Sequence, residues 1–390
     1  MNSKPRALII GAGFTGCATA HDLALRGFDV IVIERGEIAS GTSGRTHGLL
    51  HSGARYCVTD TEAAIECIDE NILLRKIAKQ CIEFNGGLFV ALNDADMEYA
   101  PRFVEGAQAC HIPITELSTS EALNLEPNLN PSILKAYRVP DGSFDPLRLA
   151  LAFAATAKQN GSKFLTYTQA QKIEANGKGA VSGVEVWDRT QNKTYSISTD
   201  IVINATGAWA GNVAKLAGVN VPIIPTPGVM VAYDQRLINH VINRLDEPCD
   251  GDILIPQRRM VVIGTTSFEV NDIDYIPVLE DQIKLMYAKA VEMVPAVART
   301  SMRGAYMSAR PLIAASLQGR SLSRTFKCYD HSDQGIEGLL TITGGKATTC
   351  RVMAEKIADL ACQKMSISAT CLTRDVILTS YRNYYRNQEN

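Results

Sequence analysis

The chain has 390 residues and a net formal charge of −2. This near balance lacks the basic excess with which a nucleic-acid binder neutralises phosphates. With 46% hydrophobic and 21% charged residues the chain can bury a core, which excludes disorder as its overall description. The length suits about two to three domains. Ten cysteines are scattered with no C-x-x-C pair. Zinc, thioredoxin-type and iron–sulfur spacings are therefore absent, no metal site is expected, and a reducing, cytoplasmic setting is. The apolar run 7–10 stops at Gly11, too short for a signal-peptide core, and no window approaches the ~20 apolar residues of a membrane span. Peripheral association with the inner membrane stays open.

In chain order, residues 7–10 read as a buried parallel strand ended by glycine. Gly11-Ala12-Gly13-Phe14-Thr15-Gly16 follows, and Cys17, Ala18, Ala20, Leu23, Ala24 and Leu25 recur at helical spacing up to Gly27. A second strand, 30–33, ends at Glu34. Further helices are predicted over 61–84, 103–110, 120–125, 147–159, 280–294 and 348–364. Strands are predicted over 88–92, 200–205, 228–233, 252–256, 260–265 and 339–343, and 163–167, 181–187 and 194–197 read as a small antiparallel layer. Residues 1–85, 146–220 and 305–370 are assigned to a dinucleotide-binding domain, 86–145 and 221–304 to a mostly antiparallel second domain, and 371–390 to a C-terminal tail that frays.

A lone G-x-G-x-x-G is weak, but here a strand precedes it, a helix follows, and an acidic residue ends the next strand. Gly11 permits the tight turn, Gly13 lets backbone amides approach a pyrophosphate, and Gly16 lets helix and strand pack closely. The helix N-terminus adds partial positive charge. Glu34, 18 residues past Gly16, is placed to bind ribose hydroxyls and to repel a 2′-phosphate, which disfavours NADP. The plain alternative is a glycine turn with no ligand. Asn204-Ala205-Thr206-Gly207 and Thr343-Gly344-Gly345-Lys346 are two later glycine turns at strand ends. They suit a long cofactor lying across several strands, so FAD fits better than NAD.

The stretch Gly41-Thr42-Ser43-Gly44-Arg45-Thr46-His47-Gly48-Leu49-Leu50-His51-Ser52-Gly53-Ala54-Arg55-Tyr56 resembles the second flavin-contacting segment of FAD-dependent glycerol-3-phosphate dehydrogenases. Ser308-Ala309-Arg310-Pro311-Leu312 and Thr343-Gly344-Gly345-Lys346-Ala347-Thr348-Thr349 resemble that family's later motifs. The similarity runs over residues 5–365 and is nearest to the catalytic A subunit of the anaerobic bacterial enzyme, within the wider D-amino-acid-oxidase-like flavoproteins. It implies an α/β fold: a Rossmann-like FAD-binding domain interleaved with a mostly antiparallel β substrate-binding cap. It implies non-covalent FAD and oxidation of the secondary alcohol of sn-glycerol 3-phosphate to dihydroxyacetone phosphate, with hydride passing to flavin N5. The bacterial protein carries a cysteine-rich C-terminal extension resembling an iron–sulfur domain, for which these residues hold no matching cysteines. The expectation is that electrons leave by another route or that substrate and physiology differ.

The resemblance and the fingerprint together place Gly11, Gly13, Phe14, Thr15, Gly16, Glu34, Arg35, Thr42, Ser43, Arg45, His47, Gly48, Leu49, Ala205, Thr206, Gly207, Gly344, Gly345, Lys346, Ala347 and Thr348 against the cofactor. Thr348 and Thr349 are also placed to cap the last helix. A dianionic phosphate needs two or three cations, and the family-matched set is Arg55, Arg310, Arg324 and Lys346, with Tyr56 as a hydrogen-bond donor. For each cation the plain alternative is a surface charge with a packed stem. His51 is the candidate base, with Arg310 and Lys346 beside it in the catalytic group, because an imidazole titrates near neutrality. The alternative is that His51 only shapes the site. His47 reads as structural, His21, His111, His240 and His331 as ordinary surface or partly buried histidines, and Trp187 and Trp209 as packing. Two competing readings remain: an FAD enzyme for another small anion (a hydroxy- or aminoalkylphosphonate, a 2-hydroxy acid or an amine) and a non-catalytic flavoprotein. The electron acceptor is open among a quinone, dioxygen and a protein partner.

Overall fold

The first apolar run does become a central strand. Arg6–Ile10 pairs in parallel with Asp29–Ile33 on one side and Ile201–Asn204 on the other. The structure is a computed structural model describing residues 4–270, 272–313 and 325–386. Among the described residues six strands form this sheet, in the order Phe326–Asp330, Leu339–Gly344, Ile201–Asn204, Arg6–Ile10, Asp29–Ile33 and Lys163–Leu165. Of these six, only Phe326–Asp330 runs antiparallel to its neighbour. Both faces are covered, which is why the strands read as unbroken apolar runs. Ala7 and Ile9 pack under the helices Phe14–Leu25, Pro146–Gln159 and Cys350–Lys364. Leu8 and Ile10 face the three-stranded antiparallel sheet Thr168–Ala175, Val181–Asp188 and Lys193–Ser198.

The second layer is an eight-stranded sheet, ordered Met302–Ile313, Ile223–Tyr233, Met260–Gly264, Ile253–Gln257, Val241–Arg244, Gly87–Ala91, Lys135–Val139 and Thr115–Leu117. It is antiparallel except between Val241–Arg244 and Gly87–Ala91. Along Ile223–Tyr233 the pleat alternates. Val229 and Val231 pack with the helix Glu280–Met293, while Met230 points at the cavity between the sheets. No helix among the described residues is long and apolar enough to cross a membrane.

Several expectations shift. Residues 163–165 join the parallel sheet beside Asp29–Ile33, and Thr168–Ala175 supplies the third strand of the small layer. The helix read over 61–84 stops at Ile77, and residues 103–110 are the end of a longer helix, Asp94–Ala109. Asn93 starts that helix early by accepting the Asp96 amide (2.9 Å). Met302–Ile313 pairs along the edge of the eight-stranded sheet, so the chain returns to the parallel sheet later than residue 305. The tail is not frayed over 381–386: Tyr384 is buried, its ring 5.9 Å from Phe164, and its carbonyl accepts from Lys158 Nζ (2.9 Å).

His21 and His331 are fully buried rather than surface or partly buried residues. His331 Nε2 shares a hydrogen bond with Thr341 (2.8 Å), whereas neither ring nitrogen of His21 has a partner among the described residues. Burial lowers the His21 pKa from 6.5 to about 4. The folded chain therefore resists a proton that the unfolded chain accepts below 6.5. Stability from this group is intact above 6.5 and is lost as the pH falls toward 4, by roughly 3 kcal/mol in full. His21→Leu is expected to flatten the acid limb of Tm against pH; thermal unfolding between neutrality and mild acid checks this, and an unaltered limb would contradict it.

Candidate functional site

A cavity of about 970 Å³ opens between the two sheets, at the carboxyl ends of Arg6–Ile10, Asp29–Ile33 and Leu339–Gly344. That is where open parallel sheets bind ligands. At one end lie Gly11, Gly13 and Glu34. Each Glu34 oxygen accepts a backbone amide, Oε2 from Ala12 and Oε1 from Gly36, both 2.9 Å. The carboxylate is thus fixed with lone pairs to spare. Arg35 pairs with Asp274 (2.7 Å) and lies 4.6 Å over the Trp209 ring, whose Nε1 donates to the same Asp274 oxygen (2.9 Å). Trp209 therefore walls the cavity instead of packing in the interior. Neither spacing nor periodicity signalled this three-residue cluster, because Asp274 comes from the other layer.

The middle of the cavity is lined by Thr42, Ser43, Arg45 and His47. Ser43 Oγ accepts the Phe14 amide (2.9 Å), so a side chain from a distant loop satisfies the first turn of Phe14–Leu25. Thr42 Oγ1 donates to the Ala309 carbonyl (2.7 Å), tying this loop to the eight-stranded sheet. His47 Nδ1 accepts the Leu49 amide (3.1 Å), which places the ring proton on Nε2. Burial, then Arg55 and Arg310, lower the His47 pKa to about 4, so the ring is a neutral donor at pH 7.

Of the expected cofactor residues, Phe14, Thr15, Leu49, Ala205, Thr206, Gly207, Gly344, Gly345, Lys346 and Ala347 also line this cavity, while Gly16, Gly48 and Thr348 do not. Gly16 sits behind the first turn, where a Cβ would stand 1.9 Å from the Gly11 carbonyl oxygen. Gly48 leaves room for Gln257, whose Nε2 donates to the His47 carbonyl (3.0 Å). Thr348 and Thr349 do not cap Cys350–Lys364. Thr348 Oγ1 accepts the His51 amide (3.1 Å) and Thr349 Oγ1 accepts the Lys346 amide (3.1 Å), so both hold the backbone at the inner end of the cavity instead.

The inner end gathers His51, Arg55, Tyr56, Arg310 and Lys346. The His51 ring lies 5.3 Å from Tyr56 and 6.1 Å from His47, and Lys346 Nζ lies 5.1 Å over the Tyr56 ring. Arg310 Nη2 donates to the Thr266 carbonyl (2.7 Å) and Nε to that of Thr226 (3.3 Å). Arg55 is not a bare cation, since Nη1 pairs with the buried Asp252 (2.7 Å) and Nη2 donates to the Cys249 carbonyl (3.2 Å). Arg324 lies outside the described residues.

These features fit the flavin dinucleotide expected from the sequence. A Cβ on Gly13 would come within 2.8 Å of Ser43 Oγ and fill the space that a pyrophosphate needs beside the helix N-terminus. Glu34 stands ready for ribose hydroxyls, and the cavity is long enough to reach Lys346. Glu34→Ala is expected to weaken cofactor retention about tenfold or more, as loss of charge-assisted hydrogen bonds does, without changing substrate preference. The flavin-to-protein absorbance ratio after gel filtration checks the first part; a change of substrate would show that Glu34 is misplaced.

The family description "FAD dependent oxidoreductase" matches residues 6–359. The A1 subunit of the anaerobic glycerol-3-phosphate dehydrogenase of Haloferax volcanii is 41% identical over 389 residues, covering 96% of this chain and 66% of that protein. The A subunit of the Escherichia coli K12 anaerobic glycerol-3-phosphate dehydrogenase is 39% identical over 376 residues, covering 95% and 69%. The chain thus spans about two thirds of the length of these relatives. Among solved structures, glycine oxidase from Geobacillus kaustophilus superposes with a TM-score of 0.76 at 20% identity, covering 96% of this chain and 99% of that one. Glycerol-3-phosphate dehydrogenase from Bacillus halodurans complexed with FAD gives 0.74 at 23%, covering 99% and 71%. Those two likenesses establish the fold. With its fingerprint, cradle and two-layer architecture, the chain belongs to the FAD-dependent oxidoreductase family.

Proposed function

We propose that the chain oxidises the secondary alcohol of glycerol 3-phosphate to dihydroxyacetone phosphate. The observation that carries this reading is the meeting of Arg310, Lys346, Arg55, His51 and Tyr56 at the inner end of the cavity whose other end is the dinucleotide cradle. The relatives named as glycerol-3-phosphate dehydrogenases support it.

FAD held in the cavity supplies a two-electron acceptor. The rest falls to the chain. Arg310 and Lys346 grip the phosphate, and Arg310 is held by the carbonyls of Thr226, Pro227 and Thr266 so that it need not reorganise. Arg55, matched by Asp252, offers oriented N–H groups with little net charge. His47 has one ring nitrogen occupied and a proton on the other, so it donates. The proton acceptor is then His51, which takes the hydroxyl proton as the C–H bond breaks. Electrons pass on to a quinone, a protein partner or dioxygen.

Anaerobic mixing of the FAD-loaded protein with glycerol 3-phosphate is expected to bleach the visible flavin band. Bleaching only by an alkylphosphonate, a 2-hydroxy acid or an amine would replace the substrate, and no bleaching by any of them would remove the activity. Arg310→Ala is expected to raise KM and lower kcat/KM roughly 10²-fold, since one charge-assisted contact is worth about 1.5–3 kcal/mol and orientation adds to it. An unchanged kcat/KM takes Arg310 out of the site. His51→Asn is expected to lower the rate of flavin reduction by about 10² or more with bound FAD retained, partly recovered at alkaline pH. A wild-type rate at pH 7 would exclude His51 as the base.

A further inference from the structure

The segment 248–253 is a wall between two cavities. Pro248 and Ile253 face the large one, while Cys249 and Asp252 face a smaller one of about 110 Å³ that Lys289 also lines. Cys249 Sγ lies 3.0 Å from Lys289 Nζ, and both residues are half-buried, within reach of small solutes. Asp252, which lines the same small cavity, is buried, and its Oδ1 has no hydrogen-bond partner among the described residues. Burial and the Asp252 carboxylate raise the pKa of the thiol, and the Lys289 ammonium and Arg55 guanidinium hold it back. Both main-chain groups of Cys249 are engaged: its amide donates to Asp252 Oδ2 (2.9 Å) and its carbonyl accepts from Arg55 (3.2 Å).

We propose that Cys249 and Lys289 form a peroxide-sensitive modification site that closes to a covalent sulfur–nitrogen bridge. The Cys249 thiol gives its proton to solvent and the sulfur attacks hydrogen peroxide; the S–O bond forms, the O–O bond breaks, and the hydroxide that leaves takes up a proton as water. Sulfur is oxidised by two electrons and the peroxide is reduced by two. The unpartnered Asp252 Oδ1 accepts the hydrogen bond of the new sulfenic O–H. Lys289, having released its proton to solvent, attacks sulfur; the S–N bond forms, the S–O bond breaks and water leaves, with no further redox change. The net result is loss of two hydrogens, reversed by a thiol reductant that cleaves the S–N bond. Because Cys249 also hydrogen-bonds Arg55 and its partner Asp252, the bridge moves the anion-binding end of the large cavity. This coupling rests on the substrate reading above, whereas the bridge does not.

The test treats FAD-loaded protein with hydrogen peroxide and reads intact mass, joined peptides and kinetics. The expected product is lighter by about 2 Da, yields a proteolytic peptide joining Cys249 to Lys289, and reverts with dithiothreitol. Lys289→Arg, which keeps the cation but cannot close the bridge, is expected to give sulfenic or higher oxidation at Cys249 instead. A 2 Da loss that persists in Lys289→Arg would mark a disulfide and overturn the bridge, as would stable sulfinic acid in the unaltered chain. The bridged protein is expected to show KM for glycerol 3-phosphate raised roughly threefold or more, as a weakened charge-assisted contact gives, with kcat little changed. A bridged protein with unaltered KM overturns the coupling to Arg55. Failure of glycerol 3-phosphate to bleach the untreated protein would count against the substrate and leave the mass measurement decisive for the bridge.

Discussion

The structure depends on one approach of backbone to backbone. At Gly16 the first helix comes so close to the strand end that a Cβ would stand 1.9 Å from the Gly11 carbonyl oxygen, which only glycine tolerates. That contact aims the N-terminus of Phe14–Leu25 into the cavity. It also brings Ala12 to Glu34, so the turn and the carboxylate are fixed together. The remaining walls are assembled around this corner, Ser43 from one loop and the Ala205–Gly207 turn from a strand far along the chain.

Around the corner, the chain buries more charge than a core needs. Arg351 is fully enclosed and bonds Glu70 (2.5 Å), Glu355 one turn along its own helix (2.6 Å) and Thr373 (3.0 Å), tying that helix to residues 70 and 373. Arg26 does the same with Asp22 (2.8 Å) and Asp359 (2.7 Å). Such pairs contribute little net stability, because desolvation offsets the attraction, yet breaking one strands a buried charge. The Arg26 pair locks Cys350–Lys364 against the end of Phe14–Leu25, and the Arg351 pair locks it against the helix that ends at Ile77.

The parts legible in the sequence share one property: their signal is local. The opening β-α-β unit, Glu34, and the histidine and arginine runs all declare themselves within a few residues. What was not legible depends on partners distant in sequence. Trp209 read as packing because nothing near it announces Asp274, and Thr348 read as a cap because its bond to the His51 amide spans 297 residues of sequence. The apolar burst 163–167 read as part of the small antiparallel layer, but pairing with Asp29–Ile33 claimed its first three residues. Arg55 read as a free cation for want of any way to foresee Asp252.

The strand Met302–Ile313 has a consequence for how such a site changes over time. It pairs with Ile223–Tyr233 in one register from Ile223 to Ala232, and Arg310 stands opposite Thr226 in that ladder. A slip of one position would turn its side chain to the opposite face and expose the apolar set buried with it, so the buried pattern along the strand fixes where position 310 looks. The ladder works as a ruler laid from one sheet toward the other. Divergent descendants can therefore exchange the group at that mark while leaving the ruler in place.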